Sequence, residues 1–260
     1  MNLYLRNLKR VEFVVTYACT GRCKHCSQGD HTGQGAVLDG ERAAEALRQV
    51  AGMYRLQSVM TFGGEPLLHP EVVCRIHAAA AECGIPARQM ITNGFFARDP
   101  RVIEKVAGDL AGSGVNDILL SVDAFHQETI PLEPVKRFAE AIRAEGVQIR
   151  TQPAWIKGSG ADNPYDRRTG EILCEFQELG IEANDGNVIF PAGNARRYLG
   201  EYFDLDREWH SPYEEDPEDV RALSFDPEGN VLGGNVSREE IQDILSRYTP
   251  SLGGRREPGL

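Results

Sequence analysis

Short apolar segments of strand length alternate with amphipathic segments of helix length from residue 11 to residue 190. The apolar segments are rich in β-branched residues, and apolar residues between them recur at helical spacing. The predicted strands are 11–16, 58–62, 87–92, 116–122, 147–153 and 187–190, and the predicted helices are 39–53, 69–83, 100–110, 133–144 and 165–179. Because strands joined by helices pair in parallel, this alternation predicts an α/β fold, either an open doubly wound sheet or a curved partial barrel. In both folds, ligands bind at the carboxyl ends of the strands.

The alternation ends after residue 190, and the rest of the chain predicts a smaller appendage. A polar loop, a hairpin and a helix are expected at 200–220, 223–237 and 237–248. The hairpin is expected to turn at 227–230, and Ser237 with Glu240 forms a capping box that predicts the start of the helix. The predicted division into core domain, C-terminal hairpin-helix extension and disordered tail is 9–190, 191–250 and 251–260.

The chain of 260 residues carries 28 basic and 39 acidic side chains, which give a net charge of −11. Without a basic patch, this charge disfavours sequence-independent binding to nucleic acids. No segment approaches the roughly 18 consecutive apolar residues of a membrane span. The amino-terminal segment lacks the apolar core and cleavage site of a secretory signal. We therefore expect a cytoplasmic protein without a membrane partner.

Three cysteines fall close together directly after the first predicted strand, in CTGRCKHC. Cys19, Cys23 and Cys26 can supply three thiolates to one metal centre and leave a fourth position for another ligand. One interpretation is a [4Fe–4S] cluster with one open iron. The alternatives are a zinc ion with His25 or His31 as its fourth ligand, or a structural cluster of cysteines without a metal.

A glycine-rich turn, Gly63-Gly64-Glu65-Pro66, directly follows the second predicted strand. Two glycines allow the backbone to approach a ligand closely. The backbone carbonyls and the Glu65 carboxylate could accept hydrogen bonds from an ammonium group. Taken alone, the same residues also describe a tight turn that happens to contain an acidic residue.

Together, CTGRCKHC and TFGGEPLLHP, at the ends of adjacent predicted strands, resemble the motifs of the radical S-adenosylmethionine (radical SAM) superfamily. The resemblance covers about residues 9–190 and implies a partial (β/α)6 TIM-like barrel. It implies that the three cysteines bind three irons of a [4Fe–4S] cluster and that S-adenosylmethionine (SAM) chelates the fourth. It further implies that Gly63–Pro66 contacts the methionine amino group, and that a protein such as flavodoxin or ferredoxin donates the electron.

The resemblance extends to further cofactor-binding residues. His25 holds a position where relatives place an aromatic residue near the adenine, and we expect stacking there rather than metal binding. The other predicted contacts are Thr92 and Asn93 in a TNG turn, Ser121 and Asp123 in an S-x-D element, and Gln152 at the end of the fifth predicted strand. The nearby His126 is expected to be a surface-loop residue.

The segment LSFDPEGNVLGGNV resembles the C-terminal SPASM or twitch-type extension of peptide-modifying relatives. Those extensions carry cysteines, whereas this chain has none after Cys174, so no auxiliary cluster is expected. The predicted function is reductive cleavage of SAM to a 5′-deoxyadenosyl radical that abstracts hydrogen from an organic substrate, with a peptide or protein side chain as the leading candidate. The alternatives are a small metabolite as substrate, or a non-catalytic zinc-binding module. An electron carrier is disfavoured because carriers usually ligate every iron with cysteine.

Overall fold

The computed structural model describes residues 2–30, 35–209 and 214–251. A seven-stranded sheet forms its centre, and every pair of neighbouring strands runs parallel. In chain order its strands are β1 (Arg10–Val14), β2 (Ser58–Phe62), β3 (Ala87–Thr92), β4 (Asp117–Leu120), β5 (Gln148–Thr151), β7 (Glu182–Ala183) and β9 (Ala222–Phe225). Their order in space is β7-β5-β4-β3-β2-β1-β9, and within the described residues the sheet does not close into a barrel.

Amphipathic helices connect the strands and bury their apolar faces against the sheet. The long helices are α1 (Gly40–Met53), α2 (Pro70–Glu82), α3 (Pro100–Gly112), α5 (Leu132–Ala144) and α6 (Pro164–Glu178), with the short α4 (Ala124–Gln127) after β4. Asp39 caps α1 and Asp99 caps α3, because each carboxylate accepts backbone N–H groups of the first turn. Val11 and Phe13 of β1 are fully buried in the same core as these helix faces. The partial TIM-like α/β fold implied by the sequence is therefore confirmed.

The sixth strand of the sheet was placed wrongly from the sequence. The predicted strand 187–190 contains only β8 (Asn187–Val188), which pairs with β6 (Ala154–Trp155) in a separate two-stranded sheet. The position beside β5 is taken by β7, whose two residues are exposed. Because β7 buries no side chain, it lacks the apolar pattern by which sequence reasoning finds a strand.

The C-terminal strand β9 joins the main sheet as the parallel neighbour of β1. The rings of Phe13 and Phe225 stack across this pair with their centroids 4.8 Å apart. The chain after residue 190 thus contributes to the sheet and to its core, while the division into domains at 9–190 and 191–250 stays a prediction.

The expected hairpin and helix near the C-terminus are both shifted. The antiparallel pair is β10 (Asn230–Val231) and β11 (Gly234–Asn235), so its turn lies at Leu232 and Gly233 rather than at 227–230. Helix α8 (Ile241–Arg247) has Glu240 at its N-cap, without a side-chain cap, so the capping box predicted at Ser237 is wrong. The Glu239 carboxylate instead accepts from the backbone of Asn235.

Most of the predicted tail, 251–260, lies outside the described residues, which end at residue 251. Within the described ranges, every helix is too short or too polar to cross a membrane.

Candidate functional site

The loop after β1, residues 15–30, carries the three predicted metal ligands and is called the cysteine loop. Hydrogen bonds within it fold it tightly. Cys19 Sγ accepts from the backbone N–H of Gly21 at 3.3 Å. The carbonyl oxygens of Cys23 and Cys26 each accept a backbone N–H from three residues further on, at 3.2 Å. Burial raises the pKa of the Cys19 thiol to about 11 and also raises the pKa of Cys26. A metal that binds these sulfurs must therefore displace their protons.

The glycine-rich turn after β2 is packed directly against this cysteine loop. The backbone N–H of Gly64 donates to Thr16 O, and that of Glu65 donates to Ala18 O, both at 2.8 Å. A Cβ atom on Gly63 would lie 2.4 Å from Thr16 O, and one on Gly64 would lie 2.1 Å from Ala18 O. The two glycines are thus required by the neighbouring backbone of the chain itself. Contact of this turn, including the buried Pro66, with a cofactor stays a prediction.

Glu65 is fully buried, and its carboxylate is occupied by the chain. Oε1 accepts from the backbone of Leu67 at 2.9 Å and from Thr92 Oγ1 at 2.6 Å, while Oε2 accepts from the backbone of Asn93 at 2.8 Å. Burial raises the pKa of this carboxyl to about 7, although the hydrogen bonds act in the opposite direction. These hydrogen bonds link the end of β2 to the end of β3, and the predicted contact of Glu65 with an ammonium group stays a prediction.

Asn93 continues this connection back to the cysteine loop. Its Nδ2 donates to Thr20 Oγ1 at 3.2 Å and lies 3.5 Å from Cys19 Sγ. Its Oδ1 accepts from the backbone of Phe95, which fixes the amide. Glu65 and Asn93 together join the cysteine loop, the glycine-rich turn and the TNG turn into one hydrogen-bonded unit at the carboxyl edge of the sheet.

Asp123 follows β4 and is also fully buried. Its carboxylate accepts the backbone N–H groups of Phe125, His126 and Ala154, and lies 2.8 Å from His126 Nδ1. Burial alone would lower the pKa of His126, but the charges of Asp123 and Cys23 outweigh it and hold that pKa well above its usual value. The expectation of a surface-loop histidine is wrong, since the His126 side chain is 14% exposed and also hydrogen-bonds Cys23.

His25 lies within an aromatic group beside the cysteines. Its ring centroid is 5.0 Å from that of Phe125 and 4.8 Å from that of His126. Within the described residues its buried Nδ1 has no hydrogen-bond partner, and burial lowers the pKa of the ring to about 4. A neutral imidazole in this position can stack on a ligand or bind a metal, and its predicted contact with adenine stays a prediction.

The last two predicted contacts lie on the same rim of the sheet. The backbone of Ser121 donates to Thr92 O at 2.8 Å, and the backbone of Gln152 donates to Leu120 O at 2.7 Å. Gln152 Oε1 accepts from Asn184 Nδ2 at 2.7 Å. Both side chains are partly exposed, in contrast to the buried carboxylates of Glu65 and Asp123.

Sequence reasoning missed Asn194, which lies in helix α7 (Gly193–Tyr198). Its backbone N–H donates to Cys26 O at 2.9 Å, and its Nδ2 donates to Cys23 O at 3.3 Å. No periodicity or motif marks this residue, because its two partners lie far away in the sequence.

Two overlapping donor sets are available for a metal. The first consists of the three cysteine sulfurs of the loop, which suit an iron–sulfur cluster with one iron left for another ligand. The other three cysteines of the chain lie on α2, at its end, and on α6. The second is Cys23 Sγ with ring nitrogens of His25 and His126, which lie within 4.8 Å of one another and suit zinc. Both sets need Cys23, so only one of them can be filled at a time. His31, the other proposed zinc ligand, lies outside the described residues.

Comparison with known proteins identifies the family to which the chain is similar. Residues 13–150 match the family model of the Radical SAM superfamily. The GTP 3′,8-cyclase of Chlorobaculum tepidum is 30% identical over 123 residues, which are 47% of this chain and 35% of that protein. The GTP 3′,8-cyclase of Trichodesmium erythraeum is 25% identical over 238 residues, which are 88% of this chain and 61% of that protein. The chain thus spans between 35% and 61% of the length of these curated relatives.

Solved structures share the fold over nearly the whole chain. Native anSMEcpe with bound AdoMet aligns with a TM-score of 0.61 at 13% identity, covering 94% of this chain and 81% of that one. Streptococcus suis SuiB bound to the precursor peptide SuiA aligns with a TM-score of 0.59 at 15% identity, covering 95% and 66%. At such identities the likeness concerns the fold alone.

Proposed function

The chain belongs to the radical SAM superfamily, whose members use a [4Fe–4S] cluster and SAM, and from this membership we propose that Cys19, Cys23 and Cys26 bind three irons of that cluster. SAM is proposed to chelate the fourth iron. Held there, the group would supply reductive cleavage of SAM: one electron from the reduced cluster would break the C–S bond of the sulfonium, giving methionine and a 5′-deoxyadenosyl radical that would abstract a hydrogen atom from an organic substrate.

The observation that carries this proposal is the hydrogen-bonded unit formed by Glu65 and Asn93. It holds Cys19 and Thr20 in a fixed relation to the glycine-rich turn. A zinc site made of Cys23 and two histidines would not use this connection, because the hydrogen bonds reach the loop at Cys19 and Thr20, which are not among its donors. The connection between the two motifs therefore favours a cofactor that touches both.

We assign different tasks to the predicted cofactor-binding residues. The carboxylates of Glu65 and Asp123 accept only donors of the chain, so they position their loops. The partly exposed Ser121 and Gln152 offer hydroxyl and amide groups to the ribose or carboxylate of SAM. Backbone carbonyls of Gly63 to Pro66 are proposed to accept from the methionine amino group, and His25 is proposed to lie against the adenine.

Anaerobic reconstitution with iron and sulfide, followed by reduction in the presence of SAM, tests this proposal. We expect about four irons per chain and formation of 5′-deoxyadenosine. Replacing any of Cys19, Cys23 and Cys26 with Ala should abolish both, whereas Cys83→Ala, at an exposed thiol after α2, should change neither. A wild-type chain that takes up one zinc and no cluster, or a loop variant that keeps cluster and cleavage, would contradict the assignment.

For the substrate, we propose a peptide or protein side chain, supported by the fold shared with SuiB, which was solved with a precursor peptide. A nucleotide is the second candidate, because the sequence relatives are GTP 3′,8-cyclases. Adding GTP to the reconstituted, reduced protein distinguishes them: stimulation of 5′-deoxyadenosine formation with loss of GTP would favour the nucleotide. A cytoplasmic location and reduction by flavodoxin or ferredoxin are part of the same proposal.

A further inference from the structure

Helix α7, in the segment after the last helix of the α/β alternation, packs directly on the cysteine loop. It lies beyond residues 13–150, which match the family model. We infer that Gly193 and Asn194 of this helix are positioning residues that hold the cysteine loop in its cluster-binding form and slow the loss of the cluster. This inference rests on the proposed function, since it assumes that the loop binds the cluster.

Asn194 donates hydrogen bonds to both turns of the cysteine loop. Its backbone N–H donates to Cys26 O at 2.9 Å, and its side-chain Nδ2 donates to Cys23 O at 3.3 Å. The same two carbonyl oxygens accept the N–H groups of Cys26 and Gly29 within the loop. Asn194 is 6% exposed, so water cannot easily replace it at either carbonyl. One residue thus fixes the backbone at two of the three proposed ligands.

Gly193 brings the helix close enough for these bonds. Its φ of 51° lies in the left-handed region that glycine adopts without strain. A Cβ atom there would lie 2.5 Å from Ser27 O and 2.6 Å from Cys26 O. Any side chain at this position would therefore push α7 and the cysteine loop apart.

Apolar contacts close the space between α7 and the loop. Ala195 and Leu199 are fully buried in a small core that also contains Cys23, Phe125 and Ile189. This core lies apart from the main core of the sheet, and it keeps Cys23 at 7% exposure. On the outer side, Arg197 reaches Asp30 at 3.2 Å, which adds a second link between the helix and the end of the loop. The helix therefore covers the loop as well as binding it.

The test compares Asn194→Ala and Gly193→Ala with the wild-type chain after anaerobic reconstitution. The matched control is Asn163→Ala, because Asn163 is also 6% exposed and hydrogen-bonded, but its partner is Asp166 on α6. Three quantities are measured: iron per chain, the rate at which iron passes to a ferrous chelator, and the EPR signal of the reduced cluster. The melting temperature of each apo chain reports general destabilisation.

We expect Asn194→Ala to release iron about tenfold faster than wild type, in proportion to the loss of about one buried hydrogen bond, and to shift or broaden the EPR signal. Gly193→Ala should release iron faster still. Asn163→Ala should lower the apo melting temperature while keeping wild-type release and EPR.

The possible failures are distinguishable. If the wild-type chain takes up no iron and sulfide, the proposed function fails and this inference fails with it. If wild type holds the cluster but Asn194→Ala and Gly193→Ala release iron at its rate with its EPR signal, only the role of α7 is overturned. The role is equally overturned if Asn163→Ala speeds release as much as Asn194→Ala does.

Discussion

Nδ1 of His126 lies 2.8 Å from Oδ2 of Asp123, and this pair directs the rest of the imidazole towards Cys23. Asp123 has no exposed surface, and the remaining hydrogen bonds of its carboxylate come from backbone N–H groups of α4 and of Ala154. The pair therefore connects the end of β4 to the cysteine loop, in the same way that Glu65 and Asn93 connect the ends of β2 and β3 to it.

Asp123→Asn tests the structural importance of that connection. An amide in place of the carboxylate must turn its NH2 group towards at least one donor, and it removes the charge that stabilises protonated His126. We expect the free energy of unfolding to fall by about 3 kcal/mol, as for breaking a buried ion pair. Urea denaturation measures this. Asp162→Asn is the control, since Asp162 is highly exposed and pairs with Arg167 at the surface; equal stability of the two variants would refute the prediction.

Glu65→Gln should destabilise the hydrogen-bonded connection between the glycine-rich turn and the cysteine loop, even though it preserves the shape of the side chain. Both carboxylate oxygens accept from donors, so an amide NH2 must face the N–H of Asn93 or the donors Leu67 and Thr92. We expect a loss of about 2 kcal/mol in unfolding free energy, as for one unsatisfied buried group, together with lower iron content after reconstitution. Glu82→Gln, at a largely exposed ion pair with Arg48, should leave both quantities at their wild-type values. Wild-type iron content in Glu65→Gln would argue against the link.

Gly64→Ala and Gly52→Ala make a matched pair of glycine substitutions. A Cβ on Gly64 would lie 2.1 Å from Ala18 O, whereas one on Gly52 in α1 meets nothing within 4 Å. We expect Gly64→Ala to lose more than about 2 kcal/mol of stability, and Gly52→Ala to gain up to about 1 kcal/mol from helix propensity. Thermal unfolding of the two purified variants measures both. A Gly64→Ala chain as stable as wild type would mean that the cysteine loop can move away from the turn.

Local sequence patterns were sufficient for the five main strands and helices, because each carries an apolar period and a capping or turn residue. They failed at β7, whose two residues are exposed and owe their strand conformation to pairing with β5. They also could not show that the atoms excluding a side chain at Gly63 and Gly64 belong to Thr16 and Ala18, which are distant in the sequence.

In the candidate site, too, residues in contiguous motifs could be recognised from the sequence, whereas residues with distant partners could not. The cysteines and the GGEP turn were found because they form short contiguous motifs. Asn194 could not be found, because its amide bonds Cys23 across a separation of 171 residues. The same holds for His126, whose burial depends on the packing of α4 and the cysteine loop rather than on any neighbour in the sequence.

His77 of α2 provides a pH test of a buried group outside the cysteine loop. It is fully buried, with Nε2 3.0 Å from Thr61 Oγ1, and burial lowers the pKa of its ring to about 3, with a smaller contribution from the charge of Arg88. Between this value and the usual pKa of about 6.5, the unfolded chain binds a proton that the folded chain does not. The stability contributed by neutral His77 is therefore complete above pH 6.5 and falls by up to about 1.4 kcal/mol per pH unit below it.

His77→Gln should remove this slope, whereas Thr61→Val, which keeps the buried imidazole, should retain it. Urea unfolding at several pH values between 4.5 and 7.5 measures the three slopes, and parallel curves for wild type and His77→Gln would show that folding does not lower the pKa of His77.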